Sequence, residues 1–273
     1  MPVTCSGRAK WSGGRLVFYN AGVKSWEVII VGGGIIGLSL AIALRRRGGR
    51  VLVVERGEPG REASYAAGGM LVDSSLETPP ALQALAVASA RMYPEFAHEI
   101  EVESGAKVDL RDHGTIVIRS PEDVQERPGV SMDELSPRAL SELEPELAAK
   151  HAFYLKERSV DPRALSSAAT KAAKNLSVDF SSGDPVNAVD LSQGQVTGVT
   201  TSKTAFLTRK VVICAGAWSG QIAPGAFPTR PVKGQMLCLA MPSRTLLKHV
   251  IRSPKAYLIP RSDGRLLVGA TVE

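Results

Sequence analysis

The run Val31-Gly32-Gly33-Gly34-Ile35-Ile36-Gly37 constrains this chain more than any other segment. It is preceded by the apolar stretch Glu27–Val31, suited to a strand buried on both faces, and followed by Ile35–Arg47, which has helical length and good helix formers. Gly48-Gly49 then supplies a C-terminal cap, and Arg50–Glu55 reads as a second apolar strand. Strand, helix and strand make one βαβ unit, right-handed with parallel strands. Each glycine has a physical task. Gly32 turns the chain sharply out of the strand, Gly34 lets a pyrophosphate approach bare backbone, and Gly37 lets the helix pack close to the strand. Ile35 and Ile36 then open a helix whose first amides face the phosphates with a partial positive charge.

Glu55 stands 23 residues beyond Gly32, at the end of the second strand. A carboxylate there can accept hydrogen bonds from both ribose hydroxyls of an adenine nucleotide and would repel a 2′-phosphate, which disfavours NADP. A glycine pattern alone is weak evidence, and a glycine-rich βα turn without ligand is its alternative. The agreement of strand, turn, helix, second strand and terminal acid points to dinucleotide binding, without separating FAD from NAD.

Other classes fit less well. The chain is basic, with net charge +6, but the charge is dispersed. The dense run Arg45-Arg46-Arg47 closes an apolar helix, where cations complement the helix dipole. Aromatic residues make up only 5%, too few for a base-stacking surface, so no nucleic-acid partner is expected. Cys5, Cys214 and Cys238 match no zinc or disulfide spacing, and neither do the four histidines, so no metal site is expected. Val28–Leu44 has 17 uncharged residues, but its four glycines split it into strand, turn and helix. No transmembrane segment or signal peptide is expected, and the reading is a soluble, cytoplasmic protein. Residues 1–23 are polar and Gly-rich and read as a disordered tail, or as the product of a start codon misplaced upstream of Val23.

Beyond the βαβ unit, Glu58–Ser75 is rich in Gly, Ala and Ser without strong period, and Pro79–Glu103 is helical in pattern. Val108–Ser120 reads as strand, Ser131–Lys150 as an acidic helix, and Asp161-Pro162 opens the helix Arg163–Lys174. Short strands follow at Val178–Phe180, Val186–Val189, Val196–Thr200 and Lys210–Cys214, then at Gln235–Leu239, Tyr257–Pro260 and Arg265–Gly269.

The segment Arg61-Glu62-Ala63-Ser64-Tyr65-Ala66-Ala67-Gly68-Gly69-Met70-Leu71 resembles the flavin-contact loop of the D-amino-acid oxidase superfamily, and most of all its glycine oxidase branch, the ThiO-type enzymes of thiamine biosynthesis. Small residues let such a loop lie against a flavin and its pyrophosphate. Val211–Ser219, with Ala215, Gly216 and Trp218 in its turn, resembles the family's second cofactor strand. Asp184-Pro185-Val186 falls where the family places a valine whose backbone meets the adenine. Pro231–Gln235 and Ala256–Arg261 resemble the entry to its substrate domain and a substrate-facing strand.

The resemblance, spanning about Ser25 to Glu273, implies FAD as cofactor. Its cofactor residues would be Gly32, Gly34, Ile35, Ile36, Gly37, Glu55, Arg56, Ala63, Ser64, Gly68, Gly69, Met70, Val186, Ala215, Gly216 and Trp218. It implies an α/β fold: a doubly wound Rossmann-type FAD-binding domain at Lys24–Pro80 and Ser159–Pro224, interrupted by a β-rich α+β substrate domain at Ala81–Arg158 and Gly225–Glu273. The activity implied is oxidative deamination of a small amino acid or amine, with hydride transfer to the flavin N5 and oxygen as electron acceptor. No side-chain base is required, so no catalytic residue is assigned, and Tyr257 is the candidate for the substrate carboxylate. In this family the arginine that clamps that carboxylate comes from a later segment, which leads us to expect a C-terminally truncated oxidase. Arg252 and Arg261 are nearby cations, but neither matches the motif. An amine dehydrogenase using another electron acceptor and an inactive FAD-binding remnant are the rival readings, with an NAD-dependent dehydrogenase disfavoured by Ser64–Leu71. The oxidases it resembles commonly assemble, so a homo-oligomer is a further expectation.

Overall fold

A computed structural model of the chain describes residues 9–12, 15–18, 25–72, 78–120, 133–222, 228–243 and 246–273. Its organising element is a four-stranded parallel sheet. Val28–Val31 lies between Val51–Glu55 and Val211–Ile213, and Asp179–Ser182 extends the sheet beyond Val51–Glu55. Ile30 is paired with Val53 and Ile29 with Leu52, so alternate residues of both strands point to the same face. Both faces are covered, which is why these strands read as unbroken apolar runs rather than alternating ones.

One face of the sheet carries helices. Ile30, Val51 and Val53 share a core with Leu38, Ala41 and Ile42 of the helix Ile35–Arg46, and with Ala168, Ala169, Ala172 and Ala173 of the helix Pro162–Asn175. Four buried alanines allow that second helix to approach closely. The Asp161 carboxylate caps its start, accepting from the Arg163 amide at 2.9 Å, and Pro162 occupies the first turn, where its missing N–H costs nothing. The helix Gln83–Ser104, which lies beyond the expected domain boundary at Pro80, sends Ala97 and Ile100 into this same core.

The other face is built differently. Ile29, Val31, Leu52 and Val54 pack against Val199, Val186, Val189 and Phe206. These belong to an antiparallel meander of Val186–Ser192, Gln195–Thr201 and Ala205–Leu207. The α/β class and the parallel dinucleotide sheet are as the sequence indicated, with a small sheet where many such folds place further helices.

A seven-stranded mixed sheet forms the second region. Its order is Met236–Ala240, Arg265–Gly269, Tyr257–Pro260, Val250–Arg252, Thr115–Ile118, Ala152–Leu155 and Asp133–Glu134. A short antiparallel ribbon, Met70–Leu71, Arg158–Val160 and Leu110–Arg111, lies between the regions.

One expectation is corrected. The helix expected over Ser131–Lys150 is confined to Pro137–Leu143. Pro137 must stand in a first turn, where Ser136 caps it, and Pro145 forces Glu144 into extended backbone (φ −139°, ψ 88°). Residues 131–132 lie outside the described residues. Within the expected N-terminal tail, Ala9–Ser12 and Arg15–Phe18 pair as antiparallel strands. Trp11, Val17 and Phe18 favour strands, and Gly13-Gly14 between them in sequence is a pair that short hairpin connections favour.

Leu38 is fully buried between the sheet and its helices. Leu38→Ala is expected to lower the unfolding free energy by about 2–5 kcal/mol, read as an earlier urea midpoint at unchanged slope. A loss below about 1 kcal/mol would contradict the packing described.

Candidate functional site

The glycine turn sits where the central strand of the parallel sheet ends. Gly32 has φ +110°, and a Cβ there would lie 2.3 Å from the carbonyl oxygen of Cys214, on the neighbouring strand's exit. At Gly37 a Cβ would lie 2.0 Å from the Gly32 carbonyl oxygen, so helix and strand touch backbone to backbone. These two positions must be glycine for steric reasons alone. The constraint on Gly34 is milder: a Cβ would meet the Ser64 hydroxyl at 3.2 Å.

Glu55 is 7% exposed and held from two sides. One carboxylate oxygen accepts from the Gly33 amide at 2.7 Å and the other from the Gly57 amide at 2.9 Å. Burying a carboxylate is costly, and two charge-assisted bonds from backbone amides offset that cost. Each oxygen accepts one bond here and retains capacity for another. Glu55 therefore fastens the glycine turn to its own strand end while still able to accept a hydroxyl.

The loop from Arg61 closes over this turn. Its residues 63–66 form one helical turn, which the absence of periodicity concealed, and Met70–Leu71 form a short strand. Ser64 Oγ accepts from the Ile35 amide at 3.0 Å, so the loop is tied to the first turn of the fingerprint helix. Beside it Ile36 is 70% exposed, an apolar side chain in the open at the mouth of the turn. Arg56 lays its guanidinium 3.5 Å above the Trp218 ring and pairs with Glu62 at 2.6 Å. That stack brings the Trp218 end of the turn Ala215–Trp218 against Arg56, the residue after Glu55. Ala63 lies in the same short helix as Ser64. Val186 and Ala215 pack their side chains into the core between the parallel sheet and the meander, and Asp184, two residues before Val186, donates its amide to the Glu55 carbonyl at 3.0 Å. Gly216, at φ +54°, has nothing within 4 Å of the place a Cβ would take.

The loop then reaches the second region. A Cβ on Gly68 would lie 2.9 Å from Ile259 Cδ1, 3.6 Å from the Tyr257 ring and 3.8 Å from Met236 Sδ. Gly69, at φ +75°, is pressed against the Val160 carbonyl. Met70 packs against the cluster of Val250, Ile259 and Leu267 that also contacts Tyr257. Tyr257 donates its hydroxyl to the Met236 sulfur at 3.5 Å. The expected flavin loop and substrate strand therefore meet at Gly68.

Neither candidate cation is placed as a carboxylate clamp. Arg252 is buried and paired with Glu157 at 3.1 Å. Arg261 is buried and bonded to backbone carbonyls, a role the sequence does not signal because turn arginines are ordinarily solvated. Among the described residues no group of three or more His, Cys, Asp or Glu is gathered as metal ligands, and no helix is long and apolar enough to cross a membrane.

Residues 27–273 match the family model described as DAO, FAD dependent oxidoreductase. The chain belongs to this family. A bifunctional ThiO/ThiG protein of Synechocystis sp. is 34% identical over 256 residues, covering 90% of this chain and 39% of that protein. A glycine oxidase of Pseudomonas putida is 32% identical, covering 91% of this chain and 72% of the relative. The crystal structure of glycine oxidase from Geobacillus kaustophilus superposes with a TM-score of 0.84 at 28% identity, over 92% of this chain and 72% of that one. The chain thus spans about two fifths of the bifunctional relative and about seven tenths of the glycine oxidases.

FAD is the cofactor of this DAO-family chain, and the residues fit it. The turn at Gly32–Gly34 is bare of side chains, a carboxylate with spare acceptor capacity stands beside it, and a glycine loop leads from it to the strand Tyr257–Pro260. Glu55→Ala is expected to weaken FAD binding by about 1–3 kcal/mol, roughly 5- to 150-fold in Kd by flavin-quench titration. An unchanged Kd would show that the ribose lies elsewhere. Gly37→Ala is expected to abolish flavin retention, whereas Gly48→Ala, at φ +84° with open space, should cost only about 1 kcal/mol of stability and leave the Kd unchanged.

Proposed function

We propose that this chain carries the cofactor and substrate-facing parts of an oxidase acting on a small amino acid or amine, like the glycine oxidases it is similar to. The observation that carries the reading is the meeting of Gly68 with Tyr257 and Met236, which sets the loop against the substrate strand. When bound, FAD supplies the two-electron acceptor for a hydride from the substrate α-carbon and passes the electrons to dioxygen, giving hydrogen peroxide.

The chain's own residues bind and orient. The turn Gly32–Gly34 and the start of the helix Ile35–Arg46 hold the diphosphate, and Glu55 takes the ribose hydroxyls. The glycines at 68 and 69 let the loop backbone close onto Ile259 and the Val160 carbonyl, where side chains would collide, and so leave the opposite side of the loop to the flavin. Tyr257 turns its hydroxyl from the Met236 sulfur, a weak acceptor, to a substrate carboxylate oxygen, a strong one. An amine that enters neutral needs no side-chain base to lose its α-hydride, so the chain's contribution is placement. The resulting imine hydrolyses in water. The arginine clamp implied by the family resemblance is not supplied by Arg252 or Arg261, which are buried and bonded to Glu157 and to the Val160 and Gly68 carbonyls.

Anaerobic addition of glycine or another small amino acid to the flavin-loaded protein is expected to bleach the visible flavin band, and admission of air to restore it with one peroxide per turnover. Flavin that binds but stays oxidised with every small amine would overturn the oxidase reading. Tyr257→Phe is expected to raise the amino-acid KM roughly 10- to 150-fold, the equivalent of about 1.5–3 kcal/mol for a hydrogen bond to a charged group, with a far smaller change for a simple amine lacking the carboxylate.

A further inference from the structure

Among the described residues Arg261 is the largest fully buried side chain, 1% exposed, and the oxidase chemistry above does not use it. It stands at the turn between the strands Tyr257–Pro260 and Arg265–Gly269, four residues after Tyr257. Nη1 donates to the Val160 carbonyl at 2.9 Å and Nη2 to the Gly68 carbonyl, while Nε has no hydrogen-bond partner. Among the described residues no carboxylate makes an ion pair with it: Asp161 and Asp263 are taken by Arg265, and the Asp109 carboxylate accepts from the Ser262 amide and hydroxyl. A guanidinium buried without a contact anion is expensive, and burial pulls its pKa down, only partly countered by Asp161 and Asp109 at longer range. Such a group needs a reason beyond filling space.

We propose that Arg261 is a positioning residue for the flavin: it fixes the Gly68–Gly69 peptide against the ring and lends its uncompensated charge to the flavin through that peptide. The inference rests on the reading of Arg61–Leu71 as the flavin-contact loop. Its physical basis is the plane of one peptide. The Gly68–Gly69 bond is trans, so its C=O and N–H point in opposite directions. With the carbonyl drawn to Arg261, the Gly69 amide is directed away from the guanidinium, and the charge-assisted bond polarises it into a stronger donor. Glycine at both positions would let this peptide rotate freely, and Gly69 at φ +75° is a conformation few other residues adopt, so a clamp is needed to select one orientation. The second arm, on Val160, ties the same clamp to the ribbon strand that pairs with Met70 through Ser159. The turn is itself locked in place by Ser262 on Asp109 and by Arg265 on Asp161, so the guanidinium cannot swing away. Reduction adds negative charge to a flavin, and a positive charge behind the loop favours the reduced form.

The test uses the flavin-loaded full chain in three forms: unaltered, Arg261→Met and Arg261→Lys. Flavin affinity, the visible circular dichroism of the flavin and its equilibrium with a redox dye are measured, alongside the melting temperature of the apoprotein. Arg261→Met is expected to keep the FAD Kd within about fivefold, because the adenine end is held elsewhere. It should change the visible dichroism and move the redox equilibrium at least tenfold toward oxidised flavin, about 30 mV for a two-electron couple. Arg261→Lys keeps the charge but loses the fork, so it should change the dichroism while shifting the equilibrium less than threefold. A purely structural arginine would lower the melting temperature and leave the flavin signals alone. That result in folded Arg261→Met overturns the inference while leaving the cofactor reading intact. Should Arg261→Met fail to fold, Arg261→Lys decides: an unaltered flavin dichroism overturns the inference, and a changed dichroism with the equilibrium held supports it. An unaltered chain that takes up no FAD would remove the cofactor reading and this inference together.

Discussion

A carbonyl oxygen sits where a side chain would have to be. The Gly32 carbonyl lies 2.0 Å from the position of a Cβ on Gly37, and the Cys214 carbonyl 2.3 Å from that of a Cβ on Gly32. Strand, turn, helix and neighbouring strand can converge at that point only because two side chains are missing. From this convergence follow the placement of the helix start at the sheet's C-terminal edge, the approach of Ser64 to the Ile35 amide and the docking of Glu55 on the Gly33 amide. Replacing either glycine would push the helix off the sheet and carry the site with it.

What the sequence revealed depended on how local the cause was. The βαβ unit was legible because its determinants lie within about thirty residues: a doubly buried apolar strand, glycines in required places and an acid at the second strand's end. The Asp161-Pro162 helix start was legible for the same reason. The Ser131–Lys150 helix was overextended because its acidic, helix-forming composition outweighed Pro137 and Pro145, whose backbone constraints are absolute. The short helix at Ala63–Ala66 escaped notice because nothing in its composition marks it; its position depends on the Ser64 contact with Ile35, 29 residues away. The buried role of Arg261 was hidden for a related reason, since both of its acceptors are carbonyls more than a hundred residues distant in the chain.

The same convergence links the cofactor region to the seven-stranded sheet. One loop starts at the dinucleotide turn and ends against Ile259, Tyr257 and Met236, so the two regions share a boundary made of glycine backbone. Packing there is tight and side-chain-free on the loop side, with apolar and aromatic groups on the strand side. Membership of the DAO family accords with this architecture.

The most direct measurement is a crystal structure of the chain with FAD bound. The diphosphate should rest on the backbone amides of Gly32–Ile36 with a ribose oxygen within hydrogen-bond distance of Glu55, and the isoalloxazine should lie along Gly68–Met70. Density for the diphosphate anywhere else, or a Glu55 carboxylate facing no ribose, would contradict the assignment of the glycine turn as the cofactor site.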